Sequence, residues 1–286
     1  MTQNKYKNLE GHFIGAHNAN LFFQLWENPR ARGTIVITHG HGEHSDSYKR
    51  VVEALKDDVW NIYAWDMRGH GKSEGARGYA SSFDDYCSDY VEFLKMVFAQ
   101  PLITKGPVVL LAHSMGGLVQ IKALLQHPEF KPDAVVLSSP LFGIGVEIPA
   151  YKKLGAEWIA KLLPTLTMWN EIGNQDVTRD PEVIRELEHD PYRHARVCAA
   201  VYLGFLESFK FVYEGIPQLK VKTLFQISDK DPVISSAEAM RFFEHFGSLE
   251  KEIKIYKDAK HEIYNDIIRE QAFEDLRHFL AGVEKK

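Results

Sequence analysis

The chain carries only two cysteines in 286 residues, Cys87 and Cys198, too few for a disulfide framework and without the paired spacing of a metal site. Each is expected to be buried as a small apolar residue. No stretch approaches the roughly 18 apolar residues that a membrane span requires. The opening Met-Thr-Gln-Asn-Lys-Tyr-Lys-Asn lacks the apolar core of a signal peptide, so a cytoplasmic protein is expected. Positive charge is not concentrated anywhere. The 34 Lys and Arg are scattered among 39 Asp and Glu, for a net charge of −5, which argues against nucleic acid as a partner. Internal repeats and low-complexity segments are also lacking. What is present is a balance of 45% hydrophobic and 26% charged residues, expected of a folded globular chain.

The hydrophobic pattern alternates between strand and helix. Leu21 to Trp26 reads as an early strand, with Phe13-Ile14 before it and a turn at Asn18 to Asn20. Thr34 to Ile37 is a continuous β-branched run, as a strand covered on both faces should be. Tyr48 to Leu55 reads as a short helix and Asn61 to Trp65 as the next strand. Ser82 with Asp85 forms a variant capping box ahead of Phe83, Tyr86, Tyr90, Phe93, Leu94 and Val97 at helical spacing. Further strands are expected at 107–111, 134–137, 223–227 and 253–256, with late helices near 237–244 and 263–280. Such βα alternation predicts a mostly parallel central sheet with helices on both faces.

One segment breaks this rhythm. Residues 142–213 show no convincing strand, only helical stretches: Tyr151, Leu154, Trp158, Ile159 and Leu162 in period, then 181–188 and 195–211. They predict a helical cap inserted into a core made of residues 1–141 and 214–286. Trp158, Leu162, Met168 and Trp169 are candidates to line a substrate tunnel, although an apolar helical stripe also serves to hold a cap on its core.

The chemistry starts at Ala112-His113-Ser114-Met115-Gly116, which joins the 107–111 strand to the helical run beginning at Leu118. An apolar strand that breaks at small-x-Ser-x-small and enters a helix is a nucleophile elbow, with the serine Oγ lifted clear of the sheet. A nucleophilic serine needs a base and an acid, in the chain order Ser, Asp or Glu, His. His261 follows the 253–256 strand and precedes the last helix, at the same sheet edge as Ser114. His127, His245 and His278 sit at or within helices, and the side chain of His113, next to Ser114, is expected to face away from it and so cannot be its base. The acid should leave the strand ending at Ile227, where Asp231 beside Pro232 is preferred and Asp229 is the alternative. Oxyanion donors are expected from the Met115 N–H and, in the loop His39-Gly40-His41-Gly42-Glu43-His44, from the His41 N–H. His39, Glu43, His44, Asp66, Arg68 and His70 are expected to pin that loop. The three histidines of the loop have no second matched cluster, so no metal is expected.

Taken together, His39-Gly-His-Gly-Glu-His44, Asp66-Met-Arg-Gly-His-Gly-Lys-Ser73, His113-Ser-Met-Gly-Gly117, Asp231-Pro-Val and His261-Glu262 resemble the monoacylglycerol lipase and lysophospholipase branch of the α/β-hydrolases, a serine aminopeptidase-like S33 branch. The resemblance runs from about residue 11 to 280. It implies an α/β-hydrolase fold, triad roles for Ser114, Asp231 and His261, and oxyanion N–H groups from His41 and Met115. Ala112 stands where the family usually has Gly. The expected substrate is a lipid-like ester with a single acyl chain, cleaved through an acyl-enzyme without a cofactor. A carboxylesterase or aminopeptidase-like hydrolase of small substrates is the alternative. A haloalkane dehalogenase would need Asp at the position of Ser114, and a non-enzymatic scaffold would need a broken triad. The apolar faces of the cap would allow transient contact with a lipid surface, though no basic amphipathic helix demands it.

Overall fold

The computed structural model describes residues 6–101, 106–144 and 150–285, with the side chains of 150–154 and 157, and so Tyr151 and Leu154, outside the described set. The chain opens with a hairpin, β1 (Lys7–Ile14) and β2 (Asn20–Glu27), paired antiparallel. His17 and Asn18 turn the corner with φ of 57° and 61°. Next come β3 (Gly33–Thr38), α1 (Lys49–Ala54), β4 (Trp60–Trp65), α2 (Asp84–Phe98), β5 (Val108–His113), α3 (Met115–Gln126) and β6 (Ala134–Ser138). After an insertion the core resumes with β9 (Lys222–Ser228), α8 (Ser236–His245), β10 (Lys251–Tyr256) and α9 (Arg269–Ala281).

The eight-stranded sheet has the order β1-β2-β4-β3-β5-β6-β9-β10. From β4 to β10 every pairing is parallel, and the antiparallel hairpin forms one edge. Alternate residues of the central strands feed two separate cores. Val36, Leu110, Leu137 and Phe225 meet α2, α3 and α8 on one face, through Tyr90, Leu118 and Phe242. Ile35, Ile37, Leu111 and Leu224 meet α1 and α9 on the other, through Val51 and Leu276. Burial on both faces is why these strands read as unbroken apolar runs. Register then fixes the working edge: Thr38 lies beside Ala112, His113 beside Ser138, and Tyr256 beside Ser228. The loops after β3, β5, β9 and β10 therefore leave the sheet at the same end, where open parallel sheets place their sites.

The capping signal at Ser82 operates one step later than a standard box. The Asp84 N–H donates to Ser82 Oγ at 3.1 Å and the Ser82 N–H donates to Asp85 Oδ2 at 3.2 Å, so α2 begins at Asp84. The last helix starts at Arg269 instead of near Ile263. Buried Asp266 explains the delay, because its carboxylate is taken by Arg179 and by the N–H groups of Arg179 and Ile268.

The insertion holds α4 (Ala150–Leu162), β7 (Thr167–Trp169), α5 (Asn174–Val177), α6 (Pro181–His189), β8 (Arg196–Cys198) and α7 (Ala199–Gly215). The expectation of no strand here is corrected: β7 and β8 form an antiparallel pair, Thr167 opposite Cys198 and Trp169 opposite Arg196. Strands of three residues each are too short to show a period of two. Pro181 at the first turn and Asp180, whose carboxylate accepts from the Glu182 and Val183 N–H groups, start α6 where local rules place it. α7 lies on α3 and packs into the first core through Val201, Phe205 and Val212.

Candidate active site

Ser114 joins β5 to α3 with φ 50° and ψ −122°, a left-handed conformation that a non-glycine residue adopts only when its surroundings enforce it. Three main-chain hydrogen bonds do so. The Ser114 N–H donates to Ser138 O at 3.0 Å, and Ser114 O accepts from Gly117 at 2.9 Å and Leu141 at 3.0 Å. Gly116 permits the helix to start this close to the sheet, since a Cβ there would fall 2.4 Å from His39 O and 2.6 Å from Thr38 O.

His261 and Asp231 converge on the serine. His261 Nε2 lies 2.9 Å from Ser114 Oγ, and His261 Nδ1 lies 2.7 Å from Asp231 Oδ2. With the proton on Nδ1 donated to the carboxylate, Nε2 is free to accept from the hydroxyl. The other Asp231 oxygen accepts from the Val233 and Ile234 N–H groups at 2.8 and 3.1 Å. Asp229 faces away, its carboxylate accepting the Asp258 N–H at 2.7 Å. Burial opposes the charge on both partners. For Asp231, the neighbouring His261 and these hydrogen bonds outweigh it and hold the carboxyl below its ordinary value. For His261, Asp231 and then Glu262 and Glu43 outweigh burial and raise the imidazole above its ordinary value. The arrangement can take a proton from Ser114 and stabilise the imidazolium that results.

His113 is turned to Ser138, with Nδ1 3.0 Å from the carbonyl oxygen, although its ring centroid is 4.7 Å from that of His261. Burial and then the adjacent His261 push it down to about 3, so it stays neutral.

The 39–44 loop lies directly against the serine: a Cβ on Gly40 would meet Ser114 Cβ and His113 Cδ2 at 3.0 Å. It is pinned from several sides. The Gly40 N–H donates to Glu43 Oε1 at 2.5 Å, and Tyr48 Oη donates to the same oxygen at 2.8 Å. His39 accepts the Met67 N–H on Nε2 at 2.9 Å, which leaves Nδ1 to donate to Gly40 O. His44 Nε2 is 2.8 Å from Asp190, and Asp66 accepts the Ser45 and Lys72 N–H groups at 2.7 and 2.8 Å. His70 packs its ring against His39 and His41 and takes Nδ1 to the Arg68 carbonyl, whereas the Arg68 side chain turns away from the loop to grip Asp89 with two hydrogen bonds, so its expected role in pinning the loop is not seen. Gly42, at φ 78°, has the His194 carbonyl where a Cβ would go, at 2.2 Å. His41 belongs to this loop, one residue past Gly40, and Met115 is the first residue of α3.

A cavity of about 330 Å³ opens above Ser114 and His261. Its outer wall comes from the insertion, including Asn170, Ile172, Val177, Glu188, Asp190 and Arg193. The four residues expected to line a tunnel are elsewhere. Trp158, Leu162, Met168 and Trp169 are 60, 70, 40 and 70% exposed, and none is among the described residues lining the cavity. α4 packs against α7 with Ala156 buried, which turns Trp158 and Leu162 outward. The wall residues carry no motif of their own: Asn170, Ile172, Asp190 and Arg193 lie in turns, and Val177 and Glu188 lie at or near the ends of short helices. No group of three or more His, Cys, Asp or Glu among the described residues could hold a metal ion. No helix among them is long and apolar enough to cross a membrane.

The sheet, its order and the constellation at its edge define an α/β-hydrolase of the lipase and esterase type. Residues 29–268 match the family described as serine aminopeptidase, S33, and the chain belongs to that family. It is 27% identical to phospholipase YtpA of Bacillus subtilis, over 89% of this chain and 97% of that one. It is 26% identical to the monoglyceride lipase of Rattus norvegicus, over 90% of this chain and 84% of that one. It also spans 25% of the length of an uncharacterized abhydrolase domain-containing protein of Dictyostelium discoideum, at 24% identity over 83% of this chain. The crystal structure of Paleococcus ferrophilus monoacylglycerol lipase superposes with a TM-score of 0.81 at 26% identity, covering 91% of this chain and 98% of that one.

Proposed function

We propose that the protein hydrolyses carboxylic esters of single-acyl-chain lipids, monoacylglycerols or lysophospholipids, through an acyl-enzyme on Ser114. The observation that carries this reading is the hydrogen-bonded chain Ser114–His261–Asp231, at 2.9 and 2.7 Å, on the floor of the cavity. His261 takes the serine proton as Oγ attacks the ester carbonyl, and Asp231 stabilises the imidazolium. The His41 and Met115 N–H groups bind the oxyanion, each such donor being worth roughly 3–4 kcal/mol in the transition state. His261 then protonates the leaving alcohol and activates the water that releases the fatty acid. No cofactor takes part.

The lipid assignment is supported by the names of the relatives and by exposed apolar side chains on the insertion, Trp158, Leu162, Leu163, Leu166, Met168 and Trp169. In this reading residues 142–213 act as a cap whose outer face rests transiently on a lipid surface. A second reading, an esterase or aminopeptidase-like hydrolase of small substrates, is favoured by Glu188 and Asp190 in the cavity wall, since an acid there suits a free amine.

The test is product release from monooleoylglycerol, lysophosphatidylcholine, a short p-nitrophenyl ester and an amino-acid arylamide. Fast release of fatty acid from either lipid supports the proposal, whereas cleavage of the arylamide or the short ester alone would replace it by the second reading. Ser114→Ala is expected to lower turnover by about 10⁴-fold or more, and wild-type turnover in that variant would remove the mechanism.

A further inference from the structure

Arg193 comes from the turn between α6 and β8, yet it ends between two carboxylates that belong to two different loops of the core. Its Nη2 is 2.5 Å from Glu262 Oε1 and its Nη1 is 3.8 Å from Glu43 Oε2. The three side chains are 15, 5 and 4% exposed, so this is a shielded group of charges. Each carboxylate holds a different part of the site. Glu43 accepts the Gly40 N–H, the residue before His41, and Tyr48 Oη. Glu262 follows His261 directly, and its second oxygen accepts from Asn265 Nδ2 at 2.9 Å. Two buried carboxylates at such close quarters repel and resist ionisation unless a cation sits between them. Burial and then Glu262 push Glu43 up against the pull of Arg193, while Glu262 is held down despite burial, with Arg193 its main support.

We propose that Arg193 is a positioning residue: its guanidinium binds Glu43 and Glu262 into one unit and so holds the oxyanion loop and the His261 loop in register. The inference rests on the roles given above to Ser114 and His261. Its electrostatic consequence has a definite sign. The charged and titratable groups facing His261 are Asp231 from the β9–α8 turn, Glu262 beside it, Glu43 from the loop after β3 and His113 from the end of β5. Glu188, Asp190, His41, His194 and Arg193 share the cavity wall. Removing Arg193 withdraws a positive charge from the surroundings of His261 and raises the pKa of the imidazole to the extent that Glu43 and Glu262 stay ionised, since a proton taken up by Glu43 replaces that charge. Because His261 must be neutral to act as base, the acid limb of kcat moves to higher pH.

The experiment measures kcat and KM from pH 5 to 9 on a soluble p-nitrophenyl ester. Rates are normalised to active sites titrated with a fluorophosphonate, so that lost folding is not read as lost catalysis. Arg193→Gln is expected to lower kcat by roughly 10- to 100-fold through misplacement of reacting groups. KM should change little, and the acid limb should rise by up to about one pH unit. Glu262→Gln in the Arg193→Gln background is expected to bring the limb back. Glu262→Gln alone, a near-isosteric change that also serves if Arg193→Gln does not fold, should move the limb down. An unchanged limb and kcat per titrated site in Arg193→Gln, or an unchanged limb in Glu262→Gln, would overturn the role of Arg193. Failure of the fluorophosphonate to label wild-type Ser114 would instead overturn the assignment of the nucleophile.

Discussion

The two halves of the insertion meet their surroundings in opposite ways. From 174 to 198 the chain is fastened to the core by hydrogen bonds and ion pairs with buried partners. The Glu262 N–H donates to Val177 O and Thr178 Oγ1 donates to Asn265 O, both at 2.8 Å. Arg179 holds Asp266, Asp180 receives Arg269 at 2.5 Å, and Asp190 meets His44. The His194 and Cys198 N–H groups reach Gly42 O and Gly78 O at 3.0 and 2.8 Å. From 158 to 172, by contrast, Trp158, Leu162, Leu163, Leu166, Met168 and Trp169 stand exposed. The fastened half supplies Val177, Glu188, Asp190 and Arg193 to the cavity wall, to which the other half adds only Asn170 and Ile172 at its end, among the described residues. The exposed half sets these six large apolar side chains in solvent, and the proposed contact with a lipid surface rests on them. One insertion thus carries a part that belongs to the site and a part directed outward.

Disrupting the fastened half should have the largest effect on stability. Asp266 is fully buried and serves Arg179 and two N–H groups, so Asp266→Ala leaves all of these unpaired. A loss of about 3 kcal/mol is expected in denaturant unfolding. A loss below 0.5 kcal/mol would mean that the fastening contributes little.

Acid should act on the same half. His39 and His194 are pushed down to about 3 and His41 to about 4, in each case first by burial, and their rings crowd where the insertion meets the 39–44 loop. A histidine whose folded pKa lies below its unfolded value of about 6.5 binds its proton more readily in the unfolded chain. Stability is therefore complete above that value and is lost as pH falls from about 7 towards 4. The slope is about 1.4 kcal/mol per pH unit for each such histidine. His194→Asn should flatten the fall of the unfolding free energy between pH 6.5 and 5, and an unaltered slope would separate His194 from it.

The exposed half should show the smallest effect and a different one. Trp158→Ser with Trp169→Ser is expected to change stability by no more than about 0.5 kcal/mol. The same variant should slow hydrolysis of vesicle-bound monooleoylglycerol by about three- to tenfold, through lost interfacial burial, and leave a soluble ester unaffected. Equal losses on both substrates would mean that these side chains act on the site itself and would erase the contrast between the halves.

Much of the architecture is legible locally. The β-branched run at Thr34 to Ile37, the capping residues around Ser82, and the break at Ser114 each depend on a few neighbouring residues, so short-range patterns reveal them. The insertion is less legible, because β7 and β8 form only by pairing across 26 intervening residues, 170 to 195. By itself the sequence determined the alternation of strands and helices, the elbow, and the set of residues able to supply a nucleophile, a base and an acid. Only the tertiary structure decided which carboxylate meets His261, since Asp229 and Asp231 share one turn and differ in which N–H groups each accepts. It also decided that Arg193, with no motif to mark it, joins Glu43 and Glu262, and that the Trp158 and Trp169 side chains face solvent. The physical reason is distance along the chain: neutralising a buried charge and covering an apolar face both depend on partners that folding brings together from far apart.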